Sequence, residues 1–354
     1  VSERVDMDGF ARALLDWFDL HGRRNLPWQH PRSAYRVWLS EVMLQQTQVR
    51  TVIPYFERFI AELPTLEALR RASEDHVLAL WSGLGYYSRA RNLHRAAQTC
   101  VDRHGGELPR DIDALAALPG IGRSTAAAIL AQAWNEPHAI LDGNVRRVLA
   151  RWHGVRGWPG STPVQKRLWH FAEEHTPRAR VADYTQAIMD LGATVCVRSR
   201  PLCEACPVAN GCVARRDGLT NELPQAKPAR DKPVRATTML LVRDEQGRIL
   251  LERRPPSGVW ARLWSLPEAS GADAADALLR ERFHARTRTQ ARLAPFRHSF
   301  THYHLDIAPV AFDVTRLAQV ADDPDIGWHA PAEIERLGLP APVRTLIRSL
   351  EPLP

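Results

Sequence analysis

Lysine is nearly absent from this chain. Lys166, Lys227 and Lys232 are the only three, so 44 of the 47 basic residues are arginine. Any amine nucleophile must come from one of those side chains or from the N-terminus, and no lysine precedes Lys166. Long apolar runs are missing too. The longest fall far short of the roughly 20 residues that a membrane span needs, and the N-terminus carries no signal-peptide pattern. No membrane role is expected, and the expected location is cytoplasmic. Strand-like alternation of useful length is lacking from 8 to 222, and no internal repeat is found. Cysteine is scarce, and four of the five lie within Cys196 to Cys212. Cys100 stands alone in an expected helix, as a small core residue. Dense, close cysteines in a chain without a secretion signal point to metal rather than disulfides.

What is present describes a globular protein. A chain of 354 residues has room for two domains, each with its own core, and its composition is 45% hydrophobic and 25% charged. A formal charge of +7 and a pI of about 9.5 favour a polyanionic partner such as nucleic acid. Charge alone is equally compatible with a basic protein that has none.

Residues 8–222 read almost wholly as helices, one with Phe10, Leu14, Leu15, Trp17 and Phe18 as its apolar positions, another running from Asp113 through Trp134. The stretch LPQAKPARDKPVR (223–235) holds three prolines and no apolar periodicity, which makes it a linker. Beyond it, TTMLLVRD (237–244) and RILLERR (248–254) flank a Gln-Gly turn and read as a hairpin. HYHLDIAPVAFDV (302–314) offers a further strand, and a short helix is expected around 341–350. The fold class is therefore multidomain: an all-α domain over 1–222, the linker, and an α+β domain over 236–354.

Four stretches carry chemistry. SEVMLQQTQV (40–49) reads as part of one apolar-rich helix on which Ala34, Trp38, Glu41 and Gln45 align. Glu41 therefore falls in or beside the buried stripe, either bonded to a partner helix or kept there for its chemistry. LPGIGRSTA (118–126) places Gly120 and Gly122 between two helices. Free backbone N–H groups at the second helix start suit a phosphate, although a plain helix–helix connection has the same form. In LDGNV (141–145), Asp142 precedes a helix and reads first as an N-cap. A carboxylate held at a helix start stays ionised and can also face a developing positive charge. Cys196, Cys203, Cys206 and Cys212, at spacings x6, x2 and x5, suit zinc or an iron–sulfur cluster. One CxxC flanked by single cysteines departs from the paired CxxC of zinc ribbons and favours the cluster.

These motifs, in this order, resemble the MutY-type adenine DNA glycosylases of the helix-hairpin-helix–GPD superfamily. GLGYYSRARNL (83–93) and RPPSGVW (254–260) extend the resemblance over nearly the whole chain. It implies a helical glycosylase domain, with a six-helix module at about 30–140 and a cluster module formed by the N-terminal helix and about 141–217. A Nudix-like domain that recognises 8-oxoguanine would follow over 236–354. The implied partner is double-stranded DNA with an A:8-oxoguanine or A:G mispair, bound by a monomer and, when bound, at the nucleoid. The implied cofactor is a [4Fe–4S] cluster on the four cysteines.

The resemblance also implies roles. Glu41 protonates the flipped adenine and later activates water, and an apolar setting suits a carboxyl group that must hold its proton near neutral pH. Asp142 stabilises the oxocarbenium-like sugar, as the second carboxylate of a glycosidase does, with Asn144 orienting it. Gln45, Gln46, Thr47 and Gln48 face the DNA and fill the gap left by the flipped base. Tyr86 is the wedge beside the opposing base; its plainer role is that of a core aromatic with a wet hydroxyl.

Two departures follow. GADAADALLRERFHA (271–285) lacks the dense carboxylate cluster of Nudix hydrolases, so this domain reads rather than reacts. The family's Phe-Ser-His recognition loop is Phe300-Thr301-His302 here. Zinc on His298, His302 and His304 is a rival use of that region. Among the catalytic positions, Ser124 stands where endonuclease III-type enzymes carry their Schiff-base lysine, which argues against lyase chemistry. A non-catalytic DNA-binding protein on the same scaffold is the other alternative, disfavoured by retention of both Glu41 and Asp142.

Overall fold

Capping side chains and Pro-Gly turns divide the first two-thirds of the chain into short helices. The computed structural model describes residues 7–228, 231–271, 274–317 and 323–349. Twelve α-helices lie before the linker among these: α1 (Gly9–His21), α2 (Ala34–Leu44), α3 (Val49–Glu62), α4 (Leu66–Arg71), α5 (Glu74–Trp81), α6 (Ser88–Arg103), α7 (Ile112–Ala116), α8 (Arg123–Trp134), α9 (Gly143–Trp152), α10 (Thr162–His175), α11 (Val181–Asp190) and α12 (Val213–Arg216). Asp8, Ser33, Asp111 and Asp142 each accept a hydrogen bond from the backbone N–H three residues on, satisfying a donor that the helix leaves free.

Two runs that read as single helices are broken. Between Asp113 and Trp134 the chain leaves α7 at Ala116, turns through Gly120 at φ +78°, and re-enters a helix at Arg123. After α2 the chain turns at Gln45 and Gln46, the latter at φ +59°, before α3 starts at Val49. Gln45 to Gln48 are thus a loop.

The chain divides into two units, Val1–Arg70 with Arg95–Ala229, and Arg71–His94 with Arg230–Pro354. In the first, α1 shares a core with α9, α10 and α11, built from Leu14, Leu15, Val148, Leu149, Leu168 and Ile188. Helix α8 lies against α2 and α11. A π-helical turn, Leu191–Val195, continues α11 toward the first clustered cysteine.

The second unit combines residues 71–94 with a mixed sheet. Its strands are β1 (Val234–Arg243), β2 (Ile249–Arg253), β3 (Trp264–Ser265), β4 (Glu268–Ala269), β5 (Ala285–Arg292), β6 (Phe296–Ser299), β7 (His304–Arg316) and β8 (Ile326–His329). The main order is β3-β2-β1-β7-β5, with β8 on β2, β4 on β1 and β6 on β7. The expected hairpin is β1–β2, antiparallel, and β1 runs parallel to β7 with Val234 opposite His304. Alternation along β1 explains its continuous apolar run, because both faces are covered. Met239 and Leu241 face α15 (Ala341–Arg348), the expected closing helix, whereas Leu240 and Val242 face α13 (Ala275–Phe283). A short α14 (Pro331–Ile334) precedes α15. Helix α13 occupies the stretch tested for the Nudix signature and carries only Asp276 and Glu281 as acids. No helix among the described residues is long and apolar enough to cross a membrane.

Candidate active site

Helix α2 and the start of α9 bring two carboxylates to one cavity. It measures about 1000 Å³, lies within the first unit, and is lined by Glu41, the Gln45–Gln48 loop, Ser124, Asp142 and Asn144. Glu41 and Asp142 are only half-buried as residues, but their carboxyl groups are almost wholly enclosed. Burial pushes Glu41 up to about 7, opposed by the hydrogen bond that Gln132 Nε2 donates to its Oε1 at 2.8 Å and reinforced by the negative charge of Asp142. A carboxyl group in that range holds its proton at the pH where a general acid must work.

Asp142 caps α9 and also lines the cavity. Its Oδ1 accepts from Val145 N–H at 2.8 Å. Burial raises its pKa, against the backbone N–H groups of Val145 and Asn144 and the charges of Arg147 and Arg146. The helix start alone was expected to fix its charge. It is instead one of several contributions opposing a larger desolvation. Ser124 Oγ accepts from Leu141 N–H at 2.9 Å, tying the start of α8 to the residue before Asp142.

The four clustered cysteines converge on a second, small cavity of the same unit, with Arg151 beside them. Among the described residues no three His, Cys, Asp or Glu side chains are placed to hold a single metal ion. All four cysteines line that one void. Burial pushes Cys206 up to about 11 and raises Cys212, so thiolates at these positions need a cationic group to offset their charge. Arg151 Nη1 donates to Cys196 Sγ at 3.4 Å. The donor set therefore fits an iron–sulfur cluster.

Comparison with known proteins identifies the family. The family described as HhH-GPD superfamily base excision DNA repair protein matches residues 39–174, and the NUDIX domain matches 238–349. The chain is 33% identical over 343 residues to the adenine DNA glycosylase of Buchnera aphidicola subsp. Acyrthosiphon pisum (strain APS), covering 97% of each. The chain belongs to the adenine DNA glycosylase family. It is also 38% identical over 338 residues to the Rattus norvegicus member, covering 80% of this chain and 65% of that one. A solved thermostable thymine-DNA glycosylase superposes with a TM-score of 0.54 at 27% identity, covering 59% of this chain and 95% of that one. The protein is a DNA glycosylase, a hydrolase of N-glycosyl bonds.

The other candidate residues lie in two separate places. Gly120 and Gly122 form the turn into α8, with Ile121 N–H bonded to Leu118 O at 3.1 Å. Arg23, Arg50, Arg147 and Arg198 supply positive charge around the cavity that holds Glu41. Asn144 Oδ1 accepts from Arg147 Nη2 at 2.8 Å, and the same arginine donates to Gly192 O at 2.6 Å and Cys196 O at 2.7 Å. A Cβ on Gly192 would lie 2.6 Å from Asn144 Cβ, so only glycine allows the π-helical turn to approach α9 this closely. In the second unit, Tyr86, Phe300, Thr301 and His302 line a separate cavity of about 570 Å³. Tyr86 is exposed at φ +50°, which removes the core-aromatic alternative. The histidines do not converge as a zinc site. His304 Nδ1 pairs with Ser299 Oγ at 2.8 Å, and His298 packs against the rings of Trp260 and Phe300.

Sequence reasoning missed Gln132, Arg147, Gly192 and the clamp formed by Asp190. Asp190 accepts from Arg23 N–H, Arg23 Nε and Gln186 Nε2 at 2.7–2.9 Å and fixes one wall of the cavity. Gln132 did leave a signal, as a buried polar residue in the run AAAILAQAW (126–134).

Proposed function

We propose that this glycosylase excises adenine paired with 8-oxoguanine or guanine in duplex DNA and leaves an abasic site in an unbroken strand. The observation that carries the reading is the pairing of Glu41, raised to about 7, with Asp142 in the lining of one cavity. Protonated Glu41 donates to N7 of the flipped adenine. The C1′–N9 bond then breaks with its electron pair passing to the purine. Asp142, in its ionised form, faces the oxocarbenium-like sugar, with Asn144 and Arg147 fixing its surroundings. Glu41, now a carboxylate, takes a proton from the water whose oxygen bonds to C1′. That returns Glu41 to its acid form.

Several features support the rest. Names of relatives that span the chain specify adenine. Ser124, where a lyase would hold lysine, has its hydroxyl engaged with Leu141 N–H, and no lysine lines the cavity among the described residues, which supports base release without strand cleavage. Cys196, Cys203, Cys206 and Cys212 would hold a [4Fe–4S] cluster, which supplies a fold-bracing cross-link rather than a reactive centre. Residues 236–354 form a reader of the opposite base, because α13 lacks the acids for nucleotide hydrolysis and Phe300-Thr301-His302 lies beside Tyr86 in one cavity.

The test is incubation with duplexes carrying A opposite 8-oxoguanine, G, C or T, analysed with and without alkali. Adenine release from the first two, with strand breakage only after alkali, is expected. Breakage without alkali, together with a borohydride-trapped adduct that forms as fast as base is released, contradicts the proposal.

A further inference from the structure

Tyr86 occupies a backbone conformation that needs external support. In the turn Gly83-Leu84-Gly85-Tyr86, the two glycines have φ +100° and +76°, and Tyr86 follows at +50°. Glycine adopts this region freely, whereas a tyrosine with a Cβ does not, so surrounding contacts must hold it there. Gly85 O accepts from Trp81 Nε1 and from Arg89 Nη2, each at 3.1 Å. The neighbouring Tyr87 is buried at 7% exposure, and its hydroxyl does two things. It donates to Leu339 O at 2.8 Å and accepts from Gly83 N–H at 3.2 Å. Ser82 Oγ donates to the same Leu339 carbonyl at 3.2 Å, and Arg91 Nη1 donates to Ala261 O at 2.7 Å. Ala261 follows Trp260, whose ring lies against Phe300 at 5.2 Å between centroids. Lys232 Nζ donates to Phe300 O at 2.9 Å, holding the other end of that loop. All of these residues belong to the second unit.

We propose that Tyr87 is a positioning residue for recognition of the opposite base: its hydroxyl locks the Gly83–Tyr86 turn onto the Leu339 segment, so that Tyr86 and the Phe300–His302 loop present one preformed reading surface. This rests on the reading of those two elements as the 8-oxoguanine reader. Tyr87 lines the same cavity, but its part here is the hold of its buried hydroxyl on the turn and on Leu339. Its contribution is to fix where the Tyr86 ring stands relative to Thr301 and His302 across their shared cavity.

Tyr87→Phe removes the hydroxyl and keeps the ring. Single-turnover adenine release is measured on duplexes with A opposite 8-oxoguanine and A opposite G, for the full-length protein. Loss of two hydrogen bonds at the turn is expected to lower the preference for 8-oxoguanine by about fivefold, with release opposite G changed by less than about twofold. Arg91→Gln, which removes the second tie, should move the ratio the same way. In a Tyr86→Leu background, Tyr87→Phe should cause no further loss, because the two act through one element. Equal slowing on both duplexes, or an additive loss in the double variant, would assign Tyr87 a purely structural role and overturn the proposal. A wild-type protein without any preference for 8-oxoguanine would overturn the underlying reader instead. A preference lost in Tyr86→Leu but intact in Tyr87→Phe would overturn this inference alone.

Discussion

Gln132 is the residue at which the acid assignment can be tuned without touching the acid. Its Nε2 donates to Glu41 Oε1 at 2.8 Å and lowers the pKa that burial raises to about 7. A hydrogen bond to an ionised acceptor is worth about 1.5–3 kcal/mol, and one to a neutral acceptor about 0.5–1.5 kcal/mol. The bond therefore favours the carboxylate over the acid by roughly 1 kcal/mol, most of the 1.36 kcal/mol that equals one pKa unit. Gln132→Met keeps an unbranched side chain of similar length in the buried helix face and cannot donate. Glu41 should rise by roughly one unit. As Glu41 gives up a proton in the reaction, rate is present below its pKa and lost above it. The alkaline limb of the wild-type profile should bend near pH 7, and that of the variant about one unit higher. The assay is single-turnover adenine release from an A:8-oxoguanine duplex as a function of pH. A limb that stays in place or moves to lower pH refutes the reasoning.

Two further outcomes follow from the same structure. The purified protein should be brown with iron and sulfide in equal amounts, about four of each per chain, and Cys203→Ala should lower folding yield or DNA affinity before it alters the chemical step. Colourless protein with stoichiometric zinc would contradict the cluster. Gly192→Ala places a methyl 2.6 Å from Asn144 Cβ. It should cost about 1–3 kcal/mol of stability and slow adenine release, read by the thermal midpoint of the loaded protein and by single-turnover rate.

The candidate site residues stand in short motifs that mark them out in the sequence. Glu41 interrupts an apolar stripe, Asp142 opens a helix, and four cysteines crowd into 17 residues. The β1–β2 hairpin and α15 were legible for the same local reason, in their alternation and periodicity. What could not be read depends on contacts between distant positions. Arg147 joins Asn144 to Gly192 and Cys196, some 50 residues on, through backbone carbonyls that carry no sequence signature. Gln46 breaks the helix at φ +59° although it is not glycine. Strand β5, ARTRTQAR, is a largely exposed, arginine-rich element defined by its pairing with β7 rather than by apolar alternation. Residues 71–94 look like any other helical segment, yet Tyr87, Ser82 and Arg91 bond to the C-terminal part of the chain.

The most direct measurement of the central claim is single-turnover adenine release by Glu41→Gln, with duplex affinity measured in parallel. Glutamine keeps the shape of Glu41 and can still accept from Gln132, but it has no acidic proton to give to adenine and cannot take one from water. The account expects unchanged affinity for an A:8-oxoguanine duplex and adenine release reduced by at least about 10²–10⁴-fold, the contribution of a positioned acid. Release within a few-fold of wild type at bound saturation would show that the proton comes from elsewhere and would contradict the assignment of Glu41.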